Sequence, residues 1–234
     1  KQLQEILISD RRTPLMLARW EHTPSVVLQA LAAFRDGSVR KRLQRNAHTD
    51  GETLTQLYQV ERESALIELI AQHRHTPADV LARIAAREEN FSVLKAVAGN
   101  PSTGSRTLKL LAGRMPGKLD SVIVMHPSAP SGLLETLYAS GDAYIRAAVV
   151  THAHCPQRVL HQASFARDPL VMRQLGASQR IPNELLHDLA CSNDTATRRA
   201  VAGNPNLNGD LMLRLMRDSE AAVRRMVAAR QDLS

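Results

Sequence analysis

Two stretches of this 234-residue chain set imidazoles two residues apart, His73 with His75 and His152 with His154, the second pair followed at once by Cys155. Imidazole nitrogen and thiolate sulfur are ligands for metals such as zinc, so His152, His154 and Cys155 are weak candidates for a metal or redox site. A second set is cationic. Arg40, Arg146, Arg198 and Arg224 recur, with Lys41, Arg42, Arg199 and Arg225 beside them. A guanidinium group donates two parallel N–H bonds to a carboxylate or phosphate, so these residues are the candidate binding set. Contacts to phosphates would make binding salt-dependent. Patterns for nucleophilic, hydrolytic or nucleotide chemistry are lacking: there is no GxSxG, HExxH, P-loop or GxGxxG. Cys155 and Cys191 are the two cysteines, they match no CxxC spacing, and Cys191 has no obvious base beside it. The chain therefore reads as a non-enzyme without a cofactor.

The elements that must position these side chains follow from an internal repeat. The hexapeptide Ala96-Val97-Ala98-Gly99-Asn100-Pro101 returns as Ala200-Val201-Ala202-Gly203-Asn204-Pro205, 104 residues later, which is four times 26. Anchors at Pro24, Asp50, Pro77, Gly104, Pro130, Pro156, Pro182 and Asn208 are spaced by 26 or 27 residues, and each occupant starts a helix or punctuates a turn. Four and seven residues after the anchors come Leu54 and Leu57, Leu81 and Ile84, Leu186 and Leu189, Met212 and Leu215. Seven before them come Leu17, Leu43, Ile70, Val97, Ile123, Val149, Leu175, Val201 and Val227. Eleven before them come Val39, Leu66, Val93, Leu119, Ile145, Val171 and Val223. Spacings of three and four place these on one helix face. Each repeat thus has a first apolar helix, a polar or Pro-containing turn, a second apolar helix and a break. Neither helix can bury its face alone, so the repeats must stack. The expected fold is an all-α, right-handed solenoid of about eight 26-residue repeats over a single domain, residues 1–234, with no β-sheet. The first helix of each repeat is short enough to be α or 3₁₀. Leu3, Ile6 and Leu7 look like the second helix of a preceding repeat, and Val223 to Arg230 fills a first helix, so both ends cut through repeats, as in a fragment or a chain whose ends pack on something.

The register bears on both candidate sets. His73, His126 and His152 share a column with Asn46, Asn100 and Asn204; His22, His48, His75 and His154 share another. Asn in the first column points to hydrogen bonding of turn backbone rather than to metal. Stacked repeats also lie about 10 Å apart, too far for ligands on neighbours to share an ion easily. The arginines fall ten residues before the anchors, in a column broken by Ile67, Leu94, Asp120 and Met172. They could line one surface, or bond carboxylates in the breaks such as Asp36, Asp142, Asp194 and Asp218.

Composition sets the outer bounds. Apolar residues make up 44% but aromatics only 3%, so the core must be aliphatic and thin. No apolar run is long enough to span a membrane, and no signal-peptide pattern opens the chain. The formal charge of +7 permits an acidic partner and also serves solubility. Two cysteines without a CxxC spacing suit a reducing cytoplasm, with a disulfide between them as the alternative.

Residues Thr197 to Asp218 resemble the repeat of the leucine-rich repeat variant family, roughly VRxxVAxNPxTPxxLLxxLAxD, through Arg198, Val201, Ala202, Asn204, Pro205, Leu211, Met212, Leu215 and Asp218. Residues Val93 to Leu111 and Pro127 to Leu137 fit well, and those at 39–57 and 145–163 more loosely. The resemblance implies a right-handed superhelix of alternating α and 3₁₀ helices. Some members bind an iron–sulfur cluster through an N-terminal cysteine group that this chain lacks, so no cofactor is implied here, and the family has no general activity to carry over. The reading that follows is a scaffold whose extended concave, basic surface binds an acidic protein surface or peptide through the arginines above. Nucleic-acid binding through phosphate contacts is the second reading, though Trp20, Phe34, Tyr58, Tyr138 and Phe165 are too few and too scattered to stack a single strand. A metal or redox role is the third.

Overall fold

The computed structural model describes residues 12–34 and 36–230. Leu3, Ile6 and Leu7 lie outside the described residues. Seventeen α-helices and no β-strand occur among those residues. The chain divides into two compact units, Lys1–Ser128 and Ala129–Ser234, and one repeat register runs through both.

In the first unit the first helices of successive repeats are α1 (Arg12–Arg19), α3 (Gly37–Arg45), α5 (Ser64–Gln72), α7 (Phe91–Gly99) and α9 (Asp120–Ile123). Between them run the second helices α2 (Ser25–Ala32), α4 (Gly51–Val60), α6 (Ala78–Arg87) and α8 (Ser105–Arg114). In the second unit α11 (Ala143–Thr151), α13 (Pro169–Ala177), α15 (Thr195–Ala202) and α17 (Ala221–Ala228) are first helices. They alternate with α10 (Ser131–Ser140), α12 (Gln157–Ser164), α14 (Asn183–Leu189) and α16 (Gly209–Met216). Within each unit first helices stack on first helices, and the second helices pack beside them and meet one another at α2–α4, α6–α8 and α12–α14, which is the solenoid arrangement the register demands. Of the two forms open to the first helix, α is the one taken: no 3₁₀ helix occurs among the described residues, and every first helix except the four-residue α9 has eight or nine residues.

The caps explain why such short helices hold. Carboxylate or amide oxygens of Asp36, Asn90, Asp142, Asp168 and Asp194 accept backbone N–H bonds at the starts of α3, α7, α11, α13 and α15, filling donors that the first turn leaves orphaned. The anchor residues sit at the N-cap of each second helix, with Pro24, Pro77, Pro130, Pro156 and Pro182 in extended or near-extended conformation. The anchor thus precedes the helix instead of lying in its first turn. Gly117, at a φ of 76°, makes the bend before α9 that residues with a Cβ rarely adopt.

The apolar columns form the core. Leu54, Leu57, Leu81, Ile84, Leu108 and Leu111 are fully buried in the first unit, as are Leu134, Leu160 and Leu186 in the second. Leu17, Ile145 and Met212 are only half-buried. In α16 the buried position is Leu211, one residue earlier than the column places it.

Candidate functional site

The histidines belong to a ladder of turns. Asn100 Nδ2 donates to Ala71 O (2.7 Å) and His73 O (2.9 Å), 27 to 29 residues back, while its Oδ1 accepts from the Ser102 N–H. Asn46 and Asn204 repeat the pattern on Ala18 and Trp20, and on Gly176 and Ser178. His73 and His126 fill the same role with a ring. The His75 N–H bonds to His73 Nδ1 and the Ser128 N–H to His126 Nδ1. A nitrogen that accepts carries no proton, so each ring holds its proton on Nε2. From there His73 donates to Asn46 O (3.0 Å) and His126 to Asn100 O (2.8 Å). Ser178 Oγ donates to Val150 O, and Arg230 Nη1 donates to Ala202 O and Asn204 O. Four unlike side chains therefore do one job within the units, tying a turn to the turn one repeat back. Beside the ladder, Thr23, Thr49, Thr76 and Thr103 donate to the carbonyls at Leu17, Leu43, Ile70 and Val97, near the ends of the first helices.

This geometry places the metal candidates. His152 Nδ1 accepts from the His154 N–H, and His154 Nδ1 bonds to Ala129 O. Cys155 is fully buried in the threonine column, and burial pushes its thiol up to about 11, which opposes the thiolate a metal needs. Among the described residues no three His, Cys, Asp or Glu side chains gather as a metal site would need. Cys155 and Cys191 are both free thiols.

The buried ladder histidine predicts a pH effect. Burial lowers the His73 pKa below its ordinary 6.5, and the nearby His75 and Arg74 charges act the same way. A histidine depressed on folding stabilises the fold above its unfolded pKa, and that contribution is lost as pH falls from there toward the folded value. Thermal melts at pH 7.5 and 5.5 should show a smaller acid-induced drop for His73→Asn, which keeps the ladder bonds without a titrating ring, than for the parent. Equal drops would remove His73 as a cause.

The arginine column divides. Arg40 bonds Glu61 Oε2 (3.2 Å) and Phe34 O. Arg198 grips Asp218 with two bonds (2.8 and 3.0 Å) and reaches Ser192 O, holding the Asp218 carboxyl below the usual range. Arg224 donates to the carbonyls of Asp218 and Ser219. These three fasten the breaks, the structural role open to them from sequence. Of the expected carboxylates only Asp218 partners this column. Asp36 and Asp142 cap helices, and Asp194 caps α15 while pairing with Arg173. Arg146 is half-buried with its Nε unpartnered.

One residue further along, several of the first helices turn a cation outward. Lys41, Arg199 and Arg225 are exposed there, and so is Arg173, which sequence reasoning missed although it stands 26 residues before Arg199 and 52 before Arg225. In the second unit this gives a row, Arg173, Arg199 and Arg225, on the consecutively stacked α13, α15 and α17. Arg173 holds Asp194 at 3.0 and 3.3 Å, Arg225 Nε bonds its own helix at Ala221 O, and Arg199 has no partner among the described residues. Exposed Arg42 lies with Lys41 in a groove of the first unit, together with Arg19 and Arg45.

The chain is similar to a solved structure described as a leucine-rich repeat variant with a novel repetitive protein structural motif. The TM-score is 0.59, over 91% of this chain and 84% of that chain, at 18% sequence identity. The chain has the leucine-rich-repeat-variant fold. No family model matches the sequence, and no curated protein does. Within the leucine-rich-repeat-variant fold, then, the recurring Asn, Thr, Asp and Arg positions are accounted for by turn and break bonding, and the outward cations are left over. No helix among the described residues is long and apolar enough to cross a membrane.

Proposed function

We propose that the chain is a non-catalytic repeat scaffold that binds an acidic segment of a partner protein in the cytoplasm, with Arg173, Arg199 and Arg225 making the contact. The observation that carries this reading is the repetition of an exposed arginine at one register on three stacked helices. Packed helices lie about 10 Å apart, and a peptide in the polyproline II conformation rises about 3.1 Å per residue with three residues per turn. A carboxylate at every third position of such a peptide matches the row. Arg173 engages Asp194 through Nε and Nη2, which leaves further N–H donors of its guanidinium for a second oxygen. Arg40, Arg198 and Arg224 are occupied by the fold and hold the helices in register, and the two free thiols suit a reducing compartment.

The test is a titration at two salt concentrations with a peptide carrying Glu at every third position, and with duplex DNA. The peptide should bind at low salt and weaken at high salt. Arg199→Glu should cut its affinity at least tenfold, because like charges facing across an interface are strongly unfavourable. Duplex binding without peptide binding would replace this reading with phosphate-backbone recognition, and binding of neither would end it.

A further inference from the structure

The groove between α1 and α3 in the first unit is lined by Arg19, Glu21, Ser38, Lys41, Arg42 and Arg45, with Asn46 at its floor. Asn46 Nδ2 donates to Ala18 O and Trp20 O, both at 3.1 Å, so the end of α1 is tied to the end of α3 and the groove has a fixed width. Four cations face one carboxylate, and among the described residues none of the four side chains makes an ion pair or hydrogen bond.

The stacking register shows how they meet. A Cβ placed on Gly99 would touch Val122 Cγ1 at 3.7 Å, and one on Gly203 would touch Met226 Sδ at 3.4 Å. The residue five before one anchor therefore faces the residue eight before the next. The same register sets Arg19 against Arg42. Elsewhere it sets Gln72 against Ala96 and Ala177 against Ala200, pairs without charge. Two guanidinium groups facing each other repel, and an oxyanion between them reverses the sign of that interaction. Cations in the last turn of a helix also complement its dipole, but that uses their charge and none of their N–H donors.

We infer that this groove binds a phosphate group carried on a peptide side chain. A phosphate monoester brings close to two negative charges and three acceptor oxygens, which suits cations converging from two helices better than a singly charged carboxylate does. The carrier also has a place to lie. Arg19 and Glu21 line a neighbouring apolar depression with Met16, Leu17 and Trp20, where Met16 is 71% and Trp20 55% exposed. An apolar residue next to the phosphorylated one fits there. Glu21 at the junction repels a second adjacent negative charge, which disfavours a nucleic-acid backbone.

Trp20 is the single tryptophan, so its fluorescence reports on the site. Four probes are titrated at low salt: a short phosphoserine peptide with a flanking leucine, the same peptide with serine, the same with glutamate, and inorganic phosphate. The phosphopeptide should bind at least tenfold more tightly than any of the other three. Arg19→Gln and Arg42→Gln should each lose at least tenfold with unchanged far-UV circular dichroism, and Arg199→Gln should lose nothing. The inference is overturned by equal binding of the glutamate peptide or of inorganic phosphate, by full retention in both groove variants, or by duplex DNA displacing the phosphopeptide through the same arginines. Because Arg199 lies in the other unit, failure here leaves the acidic-segment reading standing, and the reverse holds too.

Discussion

Asn100→Ala should destabilise the protein by about 3–5 kcal/mol. Three hydrogen bonds meet at this side chain, two given to Ala71 O and His73 O and one taken from the Ser102 N–H. Asn100 is 3% exposed, so water does not readily replace them. Each buried group left without a partner costs about 1–3 kcal/mol, and alanine takes the partners of Ala71 O and the Ser102 N–H, while His73 O keeps the Thr76 N–H. Chemical denaturation followed by circular dichroism measures the loss. Asn206→Ala is the control: Asn206 Nδ2 gives one bond, to Gln179 O, from an exposed position, and its loss should stay at about 1 kcal/mol or less. A loss below about 1 kcal/mol at Asn100 itself would show that the ladder does not hold the turns together.

Leu186→Ala should cost about 2–5 kcal/mol, the range for removing a buried leucine and leaving a cavity. Leu186 is fully buried in α14, while Leu213, in the next second helix, is 59% exposed. The two leucines differ in register and not in chemistry, so the pair tests the helix phase. Leu213→Ala should stay within about 0.5 kcal/mol of the parent. Similar losses at both sites would mean that the apolar columns do not define the core.

The core was readable because a helical stripe has to recur at three and four residues, and 26-residue repetition shows the same stripe many times over. Even so, Met212 fits its column while Leu211 is the buried residue, since side-chain packing chooses between neighbours that periodicity treats alike. The backbone-bonding role of the Asn and His column was readable from the residue types. Its acceptors were not, because they lie a whole repeat away and are set by how helices stack. The same limit applies to the cations. Arg198 and Arg199 are adjacent in sequence, but a helix turns by roughly 100° per residue, which sends Arg198 to the Asp218 break and Arg199 outward. Arg45 shares α3 with Lys41 and Arg42, but Arg19 meets them only across the groove between two first helices, a pairing set by how the helices stack and not by any one column.

The ladder has a consequence for how such a chain can change length. Within each unit a turn gives its bonds backward and receives them from ahead at equivalent carbonyls, so the repeats share one kind of plug and one kind of socket. Excision of one whole repeat from the second unit would set Asn204 over the carbonyls near Val150 and His152, which occupy the same places in their turn as those of Gly176 and Ser178. The rung would close again. Removing a stretch a few residues longer or shorter would leave plug and socket misaligned all along the stack. Duplication and deletion in whole-repeat steps are thus the mutational moves this backbone tolerates, and its length can drift by repeats while every turn keeps the same wiring.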